Sequence, residues 1–290
     1  VLQQKPWHPA WAPLEWVETP PDAQSGLSFR RAVVVDWDSG WFGEVVAPLL
    51  RTATTMRVTR VEAVDRPELR NAFDHKVDDL HRFLSSGLGP PIITDPEKLA
   101  TLARLERQFA LLPGGGTGQV NSFVAFHGCK VANVGSICRL GPKNLRMTDG
   151  GFFGANAYAV LQADYAAGYA CETYNLPTPG ARSRWPGEEF AMVVCLVAVG
   201  AVYPISRPED YPPGGYVGPD GELVSAFHFL NPDGESRKDA ALKPRYDAHV
   251  VSVSTRAKYQ AAYPGDHPLY DEVVVASETQ MLPIAVVYFQ

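Results

Sequence analysis

Two segments with helical periodicity come early in this chain and a succession of strand-like apolar runs comes late, and that order constrains the fold more than any other feature. Strand patterns lie at Ser122 to Phe126, Phe190 to Val202, Ala248 to Val253, Glu272 to Ala276 and Pro283 to Phe289, with one earlier candidate at Met56 to Val64. Only two short helices, near Val131 to Leu140 and Gln162 to Tyr174, interrupt the later strands. A regular β-α-β alternation would put a helix between most consecutive strands, so the pattern predicts an α+β domain.

The early helices have definite ends. Asp65-Arg66-Pro67-Glu68 reads as a helix start, with Asp65 as the cap and Glu68 as its reciprocal partner. Leu69, Phe73, Val77, Leu80 and Leu84 then recur at spacings of three and four, which predicts one buried stripe ending at Ser85-Ser86-Gly87. A second helix is predicted from Asp95-Pro96, burying Leu99, Leu102, Phe109 and Leu112 and stopping at Pro113-Gly114. The run Gly114-Gly115-Gly116-Thr117-Gly118 lacks the lysine of a phosphate-binding loop and reads as a connector. Pro204 to Pro244, rich in Pro, Gly and Asp, reads as a long surface insertion. Five of the six tryptophans, Trp7, Trp11, Trp16, Trp37 and Trp41, fall in the first 41 residues among prolines that preclude a long helix. Residues 1–40 therefore read as an aromatic arm strapped onto a domain spanning 41–290.

Composition excludes several functions. With 46% hydrophobic residues in 290, the chain can bury a substantial core, and a net charge of -6 offers no positive field for nucleic acid. No run approaches the roughly 20 apolar residues of a membrane span. The chain opens on Val1 without a basic and apolar leader, which predicts a piece of a longer protein with no secretory signal. Cys129, Cys138, Cys171 and Cys195 form no CxxC pair, so neither a disulfide framework nor a zinc site is expected, and the compartment is expected to be intracellular, nuclear or cytoplasmic. His75 and His81, six apart, do not share a helix face and are not metal ligands. His127 differs, because it closes the apolar run Phe123 to Phe126 and strand ends hold binding groups rigidly.

Three ordered segments carry a specific resemblance. Phe126-His127-Gly128-Cys129 is similar to a strand end F-H-G followed by Ser or Thr. The segment from Gly151 to Val160, GFFGANAYAV, is similar to G-x-F-G-x-G-I/V-Y-F-A. Leu269-Tyr270-Asp271-Glu272-Val273-Val274-Val275, with Gln280-Met281-Leu282-Pro283 beyond it, is similar to Y-D/N-E-Y/F-V-V/I-Y. Together they resemble the catalytic domain of the poly(ADP-ribose) polymerase family from about Trp41 to the C-terminus. The resemblance implies an ADP-ribosyltransferase fold of mostly antiparallel, split β-sheets with flanking helices around an NAD-binding cleft. It implies NAD+ as substrate, no metal, and protein acceptors that include the chain itself, with no direct nucleic-acid or membrane partner.

The family's His-Tyr-Glu triad maps onto His127, Tyr158 and Glu272. By that mapping Glu272 stabilises the oxocarbenium-like ribose and polarises an acceptor, and His127 holds the adenosine ribose. Gly128 grips the nicotinamide carboxamide through its backbone, and Tyr158 and Tyr169 sandwich the ring. Lys143 is placed near the pyrophosphate. Cys129, Asn156, Ala159 and Ala166 depart from the pattern, and Ala166 removes a hydroxyl worth about 1 kcal/mol of nicotinamide binding. Glu272 is compatible with either poly- or mono-ADP-ribosylation. Two other readings stay open: an NAD+ glycohydrolase with water as acceptor, and a catalytically weak pseudoenzyme or interaction module.

Overall fold

A computed structural model describes residues 9, 11, 13–53, 56–112, 119–142, 156–171, 188–206, 216–217, 223–224, 242, 245–253 and 268–290. In chain order the strands are β1 (Val17–Glu18), β2 (Arg30–Val33), β3 (Val58–Asp65), β4 (Asn121–Cys129), β5 (Ala157–Val160), β6 (Phe190–Val199), β7 (Val202–Ile205), β8 (Tyr216–Val217), β9 (Leu223–Val224), β10 (Ala248–Val253), β11 (Tyr270–Val275) and β12 (Met281–Phe289). The helices are α1 (Gly40–Val45), α2 (Ala47–Arg51), α3 (Pro67–Ser85), α4 (Pro96–Phe109), α5 (Val131–Leu140) and α6 (Ala163–Ala170). Ten strands form one sheet in the order β1-β2-β3-β12-β6-β4-β5-β11-β10-β7, and β8 pairs with β9 in a second, two-stranded sheet. Every pairing in the large sheet is antiparallel except β7 with β10. The chain is thus α+β, and β1 and β2, which lie before residue 41, are strands of the same sheet.

Strand alternation distributes the core over two faces. Val124 and Phe126 of β4 pack with α1, α2, α3 and α6 on one face, whereas Phe123, Ala125 and Cys129 pack with α4 and α5 on the other. The central strands β6 and β12 are covered on both sides, which explains their unbroken apolar runs.

The α3 stripe lies as its periodicity predicts: Phe73, Val77 and Leu80 are buried, and Leu69 and Leu84 pack partly covered at its ends. Its start does not. The N-cap is Arg66 and makes no side-chain cap bond, because Asp65 ends β3 and is held by Arg30 and Arg70. Two guanidiniums outcompete two backbone amides for that carboxylate. α4 starts at Asp95-Pro96 as predicted, with Asp95 as its cap accepting from the amides of Glu97 at 2.9 Å and Lys98 at 3.4 Å. Of its predicted face, Phe109 and Leu112 are buried and Leu102 packs partly covered, but Leu99 is 45% exposed and Leu105, at 1% exposed, takes its place. Thr101, Leu105 and Phe109 define the face, a four-residue row that the leucine at 99 does not join.

The end of the chain is pinned by polar contacts. Gln280, fully buried, donates to the carbonyls of Ala198 at 3.0 Å and Asp247 at 3.2 Å, while Asp247 accepts from the amides of Gly200 and Ala201 at 2.9 and 2.5 Å. These bonds tie the end of β6 to the starts of β10 and β12 and so fix the strand, β11, that lies between them in sequence. The predicted connector at 114–118 and most of the insertion from 204 to 244 lie outside the described residues.

The corrected α4 face has a direct consequence for stability. Leu105→Ala should cost about 2–5 kcal/mol in urea unfolding, and Leu99→Ala less than about 1 kcal/mol. Equal losses would contradict this placement of α4.

Candidate active site

Residues 126–129, Ala157–Val160 and Tyr270–Val275 of the three resemblance segments lie on β4, β5 and β11, which are side by side in the sheet. The pairing between β5 and β11 is complete, with Glu272 opposite Val160 and Val274 opposite Tyr158. The pairing between β4 and β5 is a single position, Phe126 opposite Val160. The sheet therefore splits immediately after Phe126, where His127 and Gly128 follow.

His127 bridges this split. Its Nδ1 lies 2.9 Å from the carbonyl oxygen of Tyr158. A carbonyl can only accept, so Nδ1 carries the proton and Nε2 presents a lone pair. Burial lowers the imidazole pKa and outweighs the opposite effect of the Tyr158 carbonyl, which keeps the ring neutral and Nε2 an acceptor. Regular pleating roots His127 on the side of β4 opposite to Phe126 and Gly128, and its ring reaches the Tyr158 carbonyl across the gap.

Gly128 meets α6. A Cβ there would lie 2.0 Å from the carbonyl oxygen of Ala166 and 2.9 Å from Cβ of Tyr169, so any side chain would lift the helix from the strand. This packing alone requires glycine, whatever else its backbone binds. It also sets Tyr169 directly against β4.

Glu272 is 2% exposed. Its Oε1 accepts from the hydroxyl of Tyr169 at 3.1 Å and, more closely, from that of Tyr165. Burial raises the carboxyl pKa from an ordinary 4.5 to about 7, and the two phenols pull in the opposite direction without cancelling it. Tyr158, half-buried, packs at the edge of the same core face. The structure thus gathers Glu272, Tyr169, Gly128 and Tyr158 around one face, with His127 at the split beside them. Lys143 and the GFFGA segment lie outside the described residues.

Two participants were not foreseen. Tyr165 adjoins the motif position Ala166 without being part of the motif, and its spacing of four from Tyr169 puts both phenols on one helix face. Asp271, next to the catalytic candidate, faces the other way. It accepts from Arg104 Nε at 3.0 Å, Ser252 Oγ at 3.1 Å and Gln162 Nε2 at 3.4 Å, and its amide donates to Gln162 Oε1 at 2.8 Å. It thereby ties α4, β10 and the β5–α6 junction to β11 and holds Glu272 in register.

Burial also lifts the Cys129 thiol to about 12, so it is neither a nucleophile nor a ready metal ligand at neutral pH. Among the described residues no group of three or more His, Cys, Asp or Glu is arranged to hold a metal, and no helix is long and apolar enough to cross a membrane. A cavity of about 700 Å³ opens elsewhere, among Trp11, Val33, Trp41 and Arg60, and none of the motif residues lines it. Among its lining residues, Arg31 and Arg60 each lie 3.5 Å from Glu62. No protein-family model matches the sequence, and no curated protein is similar enough to count as a relative.

The raised pKa makes a stability prediction with a definite sign. Because the folded value lies above the unfolded one, Glu272 costs nothing below about pH 4.5 and costs progressively more up to about pH 7. The full penalty is on the order of 3 kcal/mol. Glu272→Gln retains an acceptor for both phenols and does not ionise, so its melting temperature should pull ahead of the native chain's as pH rises through this window. A difference independent of pH would contradict the burial of an ionisable carboxyl.

Proposed function

We propose that the chain is an NAD+-dependent ADP-ribosyltransferase of the poly(ADP-ribose) polymerase type, moving ADP-ribose from NAD+ to a protein acceptor and releasing nicotinamide. One observation carries the reading: a buried carboxylate, Glu272, lies under the phenols of α6, one strand from Tyr158 and two from the His127-Gly128 end of β4. An ADP-ribosyltransferase fold needs a crevice where antiparallel strands part, and the single-position pairing of β4 with β5 supports that assignment.

The chemistry follows from these groups. In NAD+ the anomeric carbon of one ribose is bonded to a positively charged pyridinium nitrogen. When that bond breaks, the electron pair stays on nitrogen and neutral nicotinamide leaves, so no strong general acid is required. The developing positive charge on the ribose is stabilised by the Glu272 carboxylate, which is worth more in a water-poor site than in solvent. The acceptor atom then bonds to the anomeric carbon and gives its proton to Glu272 and on to solvent. Tyr169 and Tyr158 offer aromatic faces to the nicotinamide ring, with the Tyr169 hydroxyl anchored on Glu272. His127 accepts a hydroxyl of the adenosine ribose at Nε2, a positioning contribution across the split.

Incubation with NAD+ labelled in its adenylate half tests this. The native chain should label protein and release nicotinamide, and Glu272→Gln should reduce both by roughly 100- to 1000-fold. Nicotinamide release without protein label would make water the acceptor and the chain a glycohydrolase. Failure of NAD+ to raise the melting temperature would remove NAD+ binding altogether.

A further inference from the structure

We propose that Tyr165 is a positioning residue for the transfer reaction: its hydroxyl orients the Glu272 carboxylate and sets the pH above which that carboxylate is ionised. The role rests on the ADP-ribosyltransferase reading. Tyr165 lies in the first turn of α6, is 4% exposed, and donates to Glu272 Oε1. Its ring is fixed on two sides. It stacks on Tyr270 at 4.7 Å with an interplanar angle of 13°, and meets Tyr169 edge-on at 5.4 Å and 75°. A ring held this way has no face to offer nicotinamide, so its contribution is made through the hydroxyl. Tyr169 donates to the same oxygen from 3.1 Å. With both phenols on Oε1, the carboxylate plane is set and Oε2 is the oxygen presented to a ribose hydroxyl.

Among the described residues, the phenols of α6 are the polar groups that meet the carboxylate. Across the ladders, β5 presents Val160 and β10 presents Val251 at the paired positions. Asp271 and Arg104 bond each other on the opposite face of β11, and the hydroxyl of Tyr270 is engaged with Asp164. A hydrogen bond donated to a carboxylate favours its charged form, so the phenols act against the desolvation that burial imposes. Tyr165, the closer donor, carries the larger share.

Tyr165→Phe keeps the ring and its stacking and removes only the hydroxyl. Nicotinamide release by the full chain is followed from about pH 5.5 to about pH 9, alongside the ¹³C titration of the Glu272 carboxyl, which needs no turnover. The acid limb of kcat/KM and the titration should both move up by about one pH unit. Activity should be lost about tenfold at the acid end and largely recovered at the alkaline end, a recovery that a merely damaged fold would not show. Tyr169→Phe should move the titration less. An unmoved titration and limb, with Glu272→Gln still inactive, would overturn the role of Tyr165 and leave the transferase reading standing. Release that Glu272→Gln does not diminish would overturn the transferase reading instead, and the titration would still decide whether Tyr165 sets the charge of Glu272.

Discussion

Burying a carboxylate without a cation is expensive, and the cost is normally met by neutralisation or by hydrogen bonds. Glu272 uses both: two phenols donate to one oxygen, and what they leave uncompensated appears as a pKa near 7. The rest of the site depends on this arrangement. The helix that supplies the phenols must lie flat on β4, which requires the missing Cβ at Gly128. The strand that supplies the carboxylate must keep its register, which the Asp271 contacts to Arg104, Gln162 and Ser252 enforce from the opposite face. A residue that destabilises the fold when ionised is nevertheless held in the core, a pattern that functional groups commonly show.

The second constraint is the gap between β4 and β5. A ladder that stops after one position leaves backbone groups needing partners, and the His127 imidazole supplies one by donating to the Tyr158 carbonyl. The same bond fixes the tautomer and leaves Nε2 as an acceptor. One side chain thus bridges the split and offers a recognition atom beside it.

Much of this was legible in the residues, and the failures are instructive. Tyr158 follows His127 by 31 residues and Glu272 lies more than a hundred beyond both, so only motif order joins them in the sequence; the sheet places their strands side by side. Tyr165 carries no motif signal, because the motif position beside it is Ala166, whereas helix geometry supplies hydroxyls from Tyr165 and Tyr169 on either side of that alanine. Asp65 looked like a cap because local sequence cannot show that Arg30, from a different strand, competes for it. Leu99 and Leu105 are chemically equivalent on the helix, and the choice between them was made by which face α4 turns to the sheet. In each case a local signal was overridden by a partner distant in sequence.

In the proposed reaction, a carboxylate and an imidazole on opposite sides of the split act on one dinucleotide. A crystal structure of the chain with a non-hydrolysable NAD+ analogue tests it most directly. The account predicts the nicotinamide-side ribose within hydrogen-bonding distance of Glu272 and a hydroxyl of the adenosine-side ribose on His127 Nε2. An analogue bound away from Glu272, or reaching only one of the two groups, would contradict it.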